Sequence, residues 1–471
     1  MFADETLREA PPVIVAGRVQ SVRTAGSKLV FMDINDGTAN LQTVSKISEL
    51  QADSEHFKSF IKTARKGDWY SVTGWPHKTS RGELSILATK VPQLLSPSLH
   101  QIPETLEDLS TRAHSRHVDM LVNPQAILPL LVRHNIEREF RNFFDDQGFV
   151  QVSTPLLTAG AGGAVARPFE TMATELEGQK LNLRIAPELW LKRLVIGGMH
   201  KVYEIGPAFR NEGVDATHNP EFSICEFYDA FATLEDLIQK TEALLFRLET
   251  TFNSLRREAK IRGLSESPLS MAGPYPRLEF IPTLEREMGC SLPNLDSPDI
   301  TEQLLALFRD KQITAPASPT LPRLLDALAG HYLEPLCQSP TFITDHPAAL
   351  SPLSKHFTCA TSSQTVAARA ELFIQGREYA NMYEEENSPT AQRRNFETQL
   401  RYRAIDGEGD GRGEVDESYL EALEWGLPPT GGWGCGMDRL VMLFSGRERI
   451  GDVLAFGGLR NVVAAGKRGR V

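Results

Sequence analysis

Between Val13 and Val91 five strand-like runs are packed into about 80 residues: VIVAGRV at 13–19, KLVFMDI at 28–34, NLQTV at 40–44, DWYSVTGW at 68–75 and ELSILAT at 83–89. Glycines and charged turns separate them, and one helix-compatible stretch, His56 to Ala64, lies among them. So many short strands in so little chain suit a small five-stranded barrel of the OB type, the alternative being another small barrel or a sandwich.

Charge sharpens that reading. The chain has 471 residues and a formal charge of −11, which argues against a surface coated in positive charge for non-specific nucleic-acid binding. From His56 to Lys90 the sign reverses: Lys58, Lys62, Arg65, Lys66, Lys78, Arg81 and Lys90 stand against Asp68 and Glu83, a local balance of +5. A solvated basic face has the same composition, but barrels that hold single-stranded nucleic acid combine such a groove with stacking aromatics.

Proline and serine in LLSPSLHQIP (94–103) mark a linker, so the spacing predicts one domain over 1–103 and a larger mixed domain over 104–471. In the second, Ile127, Leu130, Leu131, Ile136, Phe140, Phe143 and Phe144 follow helical spacing up to Gly148, a suitable C-cap. A strand is expected from Phe149 to Leu156, closed by Pro155, and an amphipathic helix from Leu234 to Ala259. Residues 262–323 are rich in proline with little periodicity and read as an insertion of short helices and loops. No run of about 18 apolar residues is present, so no membrane partner is expected. Cys225, Cys290, Cys337, Cys359 and Cys435 contain no CxxC pair, which points away from a disulfide framework or a structural zinc site. Residues Met1 to Pro12 carry Asp4, Glu5 and Glu9 against Arg8 and read as neither a signal peptide nor an Arg-rich transit peptide.

Three segments carry chemistry. KVYEIGPAFRNEGVDATHNPEFSICEFY (201–228) reads as two strands around a loop holding Arg210, Asn211, Glu212, His218 and Asn219. Such head groups each need a partner, which makes a poor structural turn and a good cradle for a polyphosphate and a purine. Arg offers a planar fork, Phe222 a ring face and Glu212 an acceptor for an amine. RAELFIQGREYANMYEEEN (369–387) reads as a hairpin turning at Gln375-Gly376, with Asn381, Tyr383 and Glu385 on one face. Glu371 and Glu378 join that face only if a bulge intervenes near Ala380, and the spacing predicts one there. Two such carboxylates suit magnesium, although an exposed strand face is the alternative. GGWGCGMDRLVML (431–443) is a glycine run before a helix opened by Asp438 and Arg439, an arrangement favourable to phosphate but not a Walker A loop.

Together these resemble the signature motifs of class II aminoacyl-tRNA synthetases, and their wording is most similar to lysyl-tRNA synthetases of the fungal mitochondrial kind. FVQVSTPLL (149–157) resembles motif 1, FRNEG…HNPEF…CEFY within 209–228 motif 2, and GWGCGMDRL (432–440) motif 3. RPFET (167–171), RIAPEL (184–189), SPLSK (351–355) and LPPTGG (427–432) match in family order. The resemblance implies an α+β chain: an N-terminal OB-fold barrel that reads the tRNA anticodon, and a catalytic domain built on an antiparallel sheet flanked by helices. It also implies a homodimer through motif 1, a tRNA(Lys) partner, ATP and L-lysine as substrates, Mg2+ as cofactor and the mitochondrial matrix as location, with the cytoplasm as alternative.

Mapped onto this chain, the resemblance assigns Glu188 to the α-amine of lysine with Gly163 and Gly436 nearby, and Arg210 and Asn381 to its carboxylate. Phe222 stacks on adenine with Glu212 on its amine, His218, Asn219 and Arg439 hold the phosphates, and Glu371 and Glu378 bind the metal. Phe31, Gln42 and Glu83 fall where the family contacts the anticodon, a core position being the alternative for Phe31. Glu226 and Glu385, with Tyr228 and Tyr383, would face the substrate side chain. Two partly desolvated carboxylates repel aspartate and favour an ammonium. That disfavours an aspartyl or asparaginyl specificity, and the presence of Arg210, Glu371, Glu378 and Arg439 weighs against an inactive RNA-binding paralogue.

Overall fold

A computed structural model describes residues 5–8, 11–51, 53–159, 166–176, 178–261, 263–264, 269–406 and 415–468. It divides into two compact units, Met1–Arg112 with His117–Asn123, and Ala113–Arg116 with Pro124–Val471.

In the first unit the five strands are Val13–Thr24, Leu29–Asn35, Asn40–Lys46, Trp69–Lys78 and Leu84–Ala88. Leu29–Asn35 pairs antiparallel with Val13–Thr24 and Asn40–Lys46, and Trp69–Lys78 pairs antiparallel with Val13–Thr24 and Leu84–Ala88. A parallel pairing of Asn40–Lys46 with Leu84–Ala88 closes the ring. Val30, Met32 and Ile34 alternate into the core, where they meet Val19, Tyr70 and Val72. The helix Ser54–Thr63, capped by the Asp53 side chain accepting from the His56 amide at 2.7 Å, adds Phe57 and Phe60 to that core. The segment read as a linker contributes a further strand, Gln93–Ser96, against Trp69–Lys78. Its backbone continues the sheet until Pro97, which has no amide to donate.

The second unit is built on an eight-stranded sheet in the order Arg277–Glu279, Thr341–Thr344, Arg369–Ile374, Arg377–Glu384, Thr430–Gly436, Glu221–Ala230, Lys201–Phe209, Val150–Gln151. Its interior pairings are antiparallel and its two edge pairings parallel. Helices Leu128–Asp146, Leu234–Arg257 and Met437–Ser445 share one apolar core with it, centred on Phe140, Phe144, Phe227, Leu245, Trp433 and Phe444. Of the expected strand at 149–156 only Val150–Gln151 pairs as a strand. Beyond the Val152 amide, which reaches the Tyr203 carbonyl at 2.9 Å, Thr154 turns its amide and hydroxyl to the Glu204 carboxylate instead.

The described part of the 262–323 stretch holds the short helices and loops expected of it. Phe280–Met288, Ile300–Asp310 and Leu321–Tyr332 are helices whose Phe280, Leu284, Leu304, Phe308, Leu324 and Leu328 form a second core. Pro282 and Pro322 sit in first turns, where a missing amide proton costs nothing, and Pro293, Pro298, Pro316 and Pro319 fall between helices. Of the acidic stretch 406–424, residues 407–414 lie outside the described residues, and Glu417–Leu423 is a helix. Among the described residues no helix is long and apolar enough to cross a membrane.

Candidate active site

The sheet face opposite the main core borders a cavity of about 1080 Å³. Alternation decides what it meets: along Thr430–Gly436, Trp433 and Cys435 enter the core while Gly432, Gly434 and Gly436 leave bare backbone beneath the cavity. A Cβ at 432 would stand 1.8 Å from Glu385 Oε1, so a larger residue there must displace that carboxylate. The hairpin at 369–384 turns at Gln375 and Gly376, both at positive φ, as its sequence predicts. The expected bulge is present: Leu372 pairs with Ala380 but Phe373 with Glu378, leaving Tyr379 as the extra residue next to Ala380. It brings Glu371, Glu378, Asn381 and Tyr383 together on the cavity.

One cluster is a nest of carboxylates. Glu188 opens the helix Glu188–Ile196 and Glu226 lies on Glu221–Ala230, and both line the cavity while nearly buried. Burial and the Glu188 charge push the Glu226 carboxyl up to about 8, with Arg210 and Arg184 opposing. The Tyr228 hydroxyl is 3.4 Å from Glu226 Oε2, and that of Tyr383 donates to Glu188 Oε1 at 2.6 Å. Glu385 is fully buried behind this layer and ion-paired to Lys192, whose ammonium also reaches Glu188 Oε1 at 2.6 Å. Gly163 lies outside the described residues.

A second cluster is cationic. The Arg210 guanidinium lies 5.2 Å from the centre of the Phe222 ring. His218 holds Asp215 through Nδ1 at 2.9 Å and meets Arg439 Nη2 through Nε2 at 3.2 Å, while Arg439 Nη1 donates to the Glu378 carbonyl at 2.6 Å. Backbone and His218 hydrogen bonds hold the Asp215 carboxyl well below its usual range. Glu371 is bonded by Arg369 and His346; burial opposes ionisation, yet these two hold its carboxyl down to about 2. Arg369 also donates to Asn381 Oδ1 at 3.0 Å. Glu212 lines the cavity. Asn219 does so too, but its amide already donates to the Glu221 carbonyl at 2.6 Å and accepts from the Leu459 amide at 3.0 Å.

In the barrel Phe31 is half-buried on the face opposite Val30 and Met32, so it is not a core side chain. Gln42 donates to Glu83 at 3.0 Å and pairs in register with Asp33, on the same face as Phe31.

Several residues were not singled out from the sequence. Lys192 was legible only as a Lys four residues after Glu188 on a helix. Arg369 and His346 buttress Glu371, and Arg133 reaches from the helix Leu128–Asp146 to Asp438, which also accepts from the Ser223 amide at 2.7 Å. Arg323, at the end of the insertion, and Asp326 and Glu334 just beyond it also stand on the cavity wall. Burial and the charges of Asp326, Glu371 and Glu378 push Glu334 up to about 6.

Residues 13–94 match the family described as an OB-fold nucleic acid binding domain, and residues 108–460 match tRNA synthetases class II (D, K and N). Among curated relatives, a mitochondrial lysine–tRNA ligase of Schizosaccharomyces pombe is 41% identical over 95% of this chain and 84% of its own length. The mitochondrial lysine–tRNA ligase of Saccharomyces cerevisiae is 38% identical, covering 94% and 81%. A probable cytoplasmic lysine–tRNA ligase of Encephalitozoon cuniculi is also 38% identical, covering 94% and 86%. With a catalytic sheet, a closed barrel and these matches over nearly the whole chain, the protein belongs to the class II tRNA synthetases, in their lysine–tRNA ligase family.

Proposed function

We propose that this chain activates L-lysine with ATP and transfers it to the 3′ end of tRNA(Lys). The observation that carries the choice of amino acid is the carboxylate nest: Glu188, Glu226 and Glu385 converge where a side chain and an α-amine would lie, a set that repels aspartate and stabilises ammonium groups. Glu188 takes the α-amine, Glu226 and Glu385 with Tyr228 and Tyr383 take the side-chain ammonium, and Arg210 and Asn381 take the carboxylate, with Gly436 beneath.

The protein supplies no nucleophile. Lysine's carboxylate oxygen attacks the α-phosphorus in line, the bond to the bridging oxygen breaks, and pyrophosphate leaves with its electron pair. Phe222, once its ring is released from Arg210, stacks on adenine; Glu212 accepts from the exocyclic amine. Arg210 neutralises charge on the α-phosphoryl oxygens, and Arg439 with His218 and Asn219 positions the outer phosphates. Glu371 and Glu378 share one sheet face on the cavity, a donor pair that suits magnesium, which takes one or two carboxylates and leaves its other positions to phosphates and water. When bound, the ion neutralises charge on the phosphates. In the second step a ribose hydroxyl of the tRNA attacks the lysyl-adenylate carbonyl and AMP leaves.

The barrel face bearing Phe31, Gln42 and Glu83 reads the anticodon. A homodimer is supported by the exposed Leu131, Val150, Leu156 and Leu157 in and around the motif 1 segment. The mitochondrial names of two relatives support the matrix as location, with the cytoplasm as the second reading because a relative of equal identity is named cytoplasmic. ATP–pyrophosphate exchange across the amino acids, followed by charging of tRNA, tests the assignment: exchange with lysine alone is expected, and exchange driven by aspartate or asparagine overturns it.

A further inference from the structure

Lys192 is the one fully buried lysine in the described core, and no step above uses it. Its ammonium lies between Glu188 of its own helix and Glu385, inside a cage of Tyr228, Tyr383 and Tyr419 whose ring centres are 5.9, 5.7 and 5.8 Å away. Burial disfavours its charge, yet Glu188 and Glu385 keep it protonated well above the ordinary lysine value. Glu385 is held by one oxygen; the other, Oε1, has no hydrogen-bond partner and lies against Gly432, the bare backbone of the cavity floor.

Counting charge in this closed space gives a selection rule. With Glu226 ionised, as it becomes when an ammonium arrives, three carboxylates (Glu188, Glu226 and Glu385) and one internal ammonium leave two negative charges uncompensated. An amino acid with two ammonium groups neutralises them; one with a neutral or acidic side chain leaves at least one buried charge unpaired, which is strongly unfavourable. We propose that Lys192 is a positioning residue for substrate recognition: its ammonium pins Glu188 and Glu385, turns the free Glu385 oxygen to the cavity floor, and sets the pocket's charge deficit to that of a doubly cationic amino acid. This rests on the assignment of the pocket to lysine given above.

Lys192→Met keeps the length of the side chain and removes its charge. Expected is a rise in the KM for lysine of at least about 30-fold, as for a buried pair that loses one partner, with the KM for ATP unchanged within about threefold. A merely structural role does not predict the second readout. Without Lys192, buried Glu385 retains a proton that lysine must expel, so the protons released on lysine binding near pH 7, measured by calorimetry in buffers of different ionisation enthalpy, rise above the wild-type number. Should Lys192→Met fail to fold, the charge-compensated Lys192→Met/Glu385→Gln variant is expected to fold, because the whole pair is gone, and to bind lysine weakly. A lysine KM and proton count equal to wild type in Lys192→Met, or a double variant no better folded than an unfolded single variant, overturns the proposal. Wild-type exchange with lysine is the control: its absence defeats the pocket assignment, while recovery of melting temperature in the double variant still reports the ion pair.

Discussion

Lysine binding should be coupled to release of a proton from Glu226. In the substrate-free protein, burial and the neighbouring Glu188 charge hold this carboxyl at about 8, so at pH 7 it is mostly protonated. The arriving ammonium is stabilised by the carboxylate and not by the acid, so binding expels the proton and affinity rises with pH. For a single group at about 8, the apparent dissociation constant exceeds that of the ionised form by about twofold at pH 8, about tenfold at pH 7 and about a hundredfold at pH 6. Calorimetric titration of lysine without ATP, between pH 6 and 8, reads the slope and, through the buffer dependence of the heat, the proton itself. Glu226→Gln should bind lysine more weakly at pH 8 and show no such slope. A flat profile in the wild type, or the same slope in Glu226→Gln, refutes the reasoning and removes Glu226 from the side-chain site.

Three further outcomes are expected. Arg210→Ala should reduce lysine-dependent ATP–pyrophosphate exchange by at least about 1000-fold at unchanged melting temperature, since it removes the charge at the reacting phosphoryl group; a loss below about tenfold contradicts that role. Gly432→Ala forces a Cβ to within 1.8 Å of Glu385 Oε1, so the carboxylate must move and the KM for lysine should rise while that for ATP holds. Arg133→Met leaves Asp438, whose side chain is 2% exposed, without its counter-charge and should destabilise the catalytic unit by about 3–5 kcal/mol in chemical denaturation, with no effect if the pair is energetically idle.

Much of this was readable before any coordinates, where a local rule governs. The barrel strands announced themselves as short strand-like runs set off by glycines and charged turns, and the 369–384 hairpin by a two-residue turn whose residues tolerate positive φ. Even the bulge followed from parity: Glu378 and Asn381, three residues apart, reach one face only if a residue is absorbed between them. What stayed hidden depends on partners distant in the chain. Lys192 sits in an apolar helix and gains its meaning from Glu385, nearly 200 residues on. Arg369 and His346 are ordinary until Glu371 lies between them. The insertion was legible as short helices and loops, but not where its helices begin, because prolines in first turns mark starts that periodicity alone does not show.

The strand Thr430–Gly436 has a consequence for redesigning the pocket. Its core-facing side chains, Trp433 and Cys435, point away from the cavity, and what it offers the substrate at 432, 434 and 436 is main chain alone. Such a floor can be raised by any substitution but lowered by none, because nothing remains there to cut away. Enlarging the site for a bulkier amino acid must therefore work through its walls, at Tyr228 and Tyr383, whereas shrinking it for a shorter one can begin from below at Gly434 or Gly436. Positions one apart on this strand then obey opposite rules: Trp433 loses volume only by opening the core, and Gly432 gains it only by displacing Glu385.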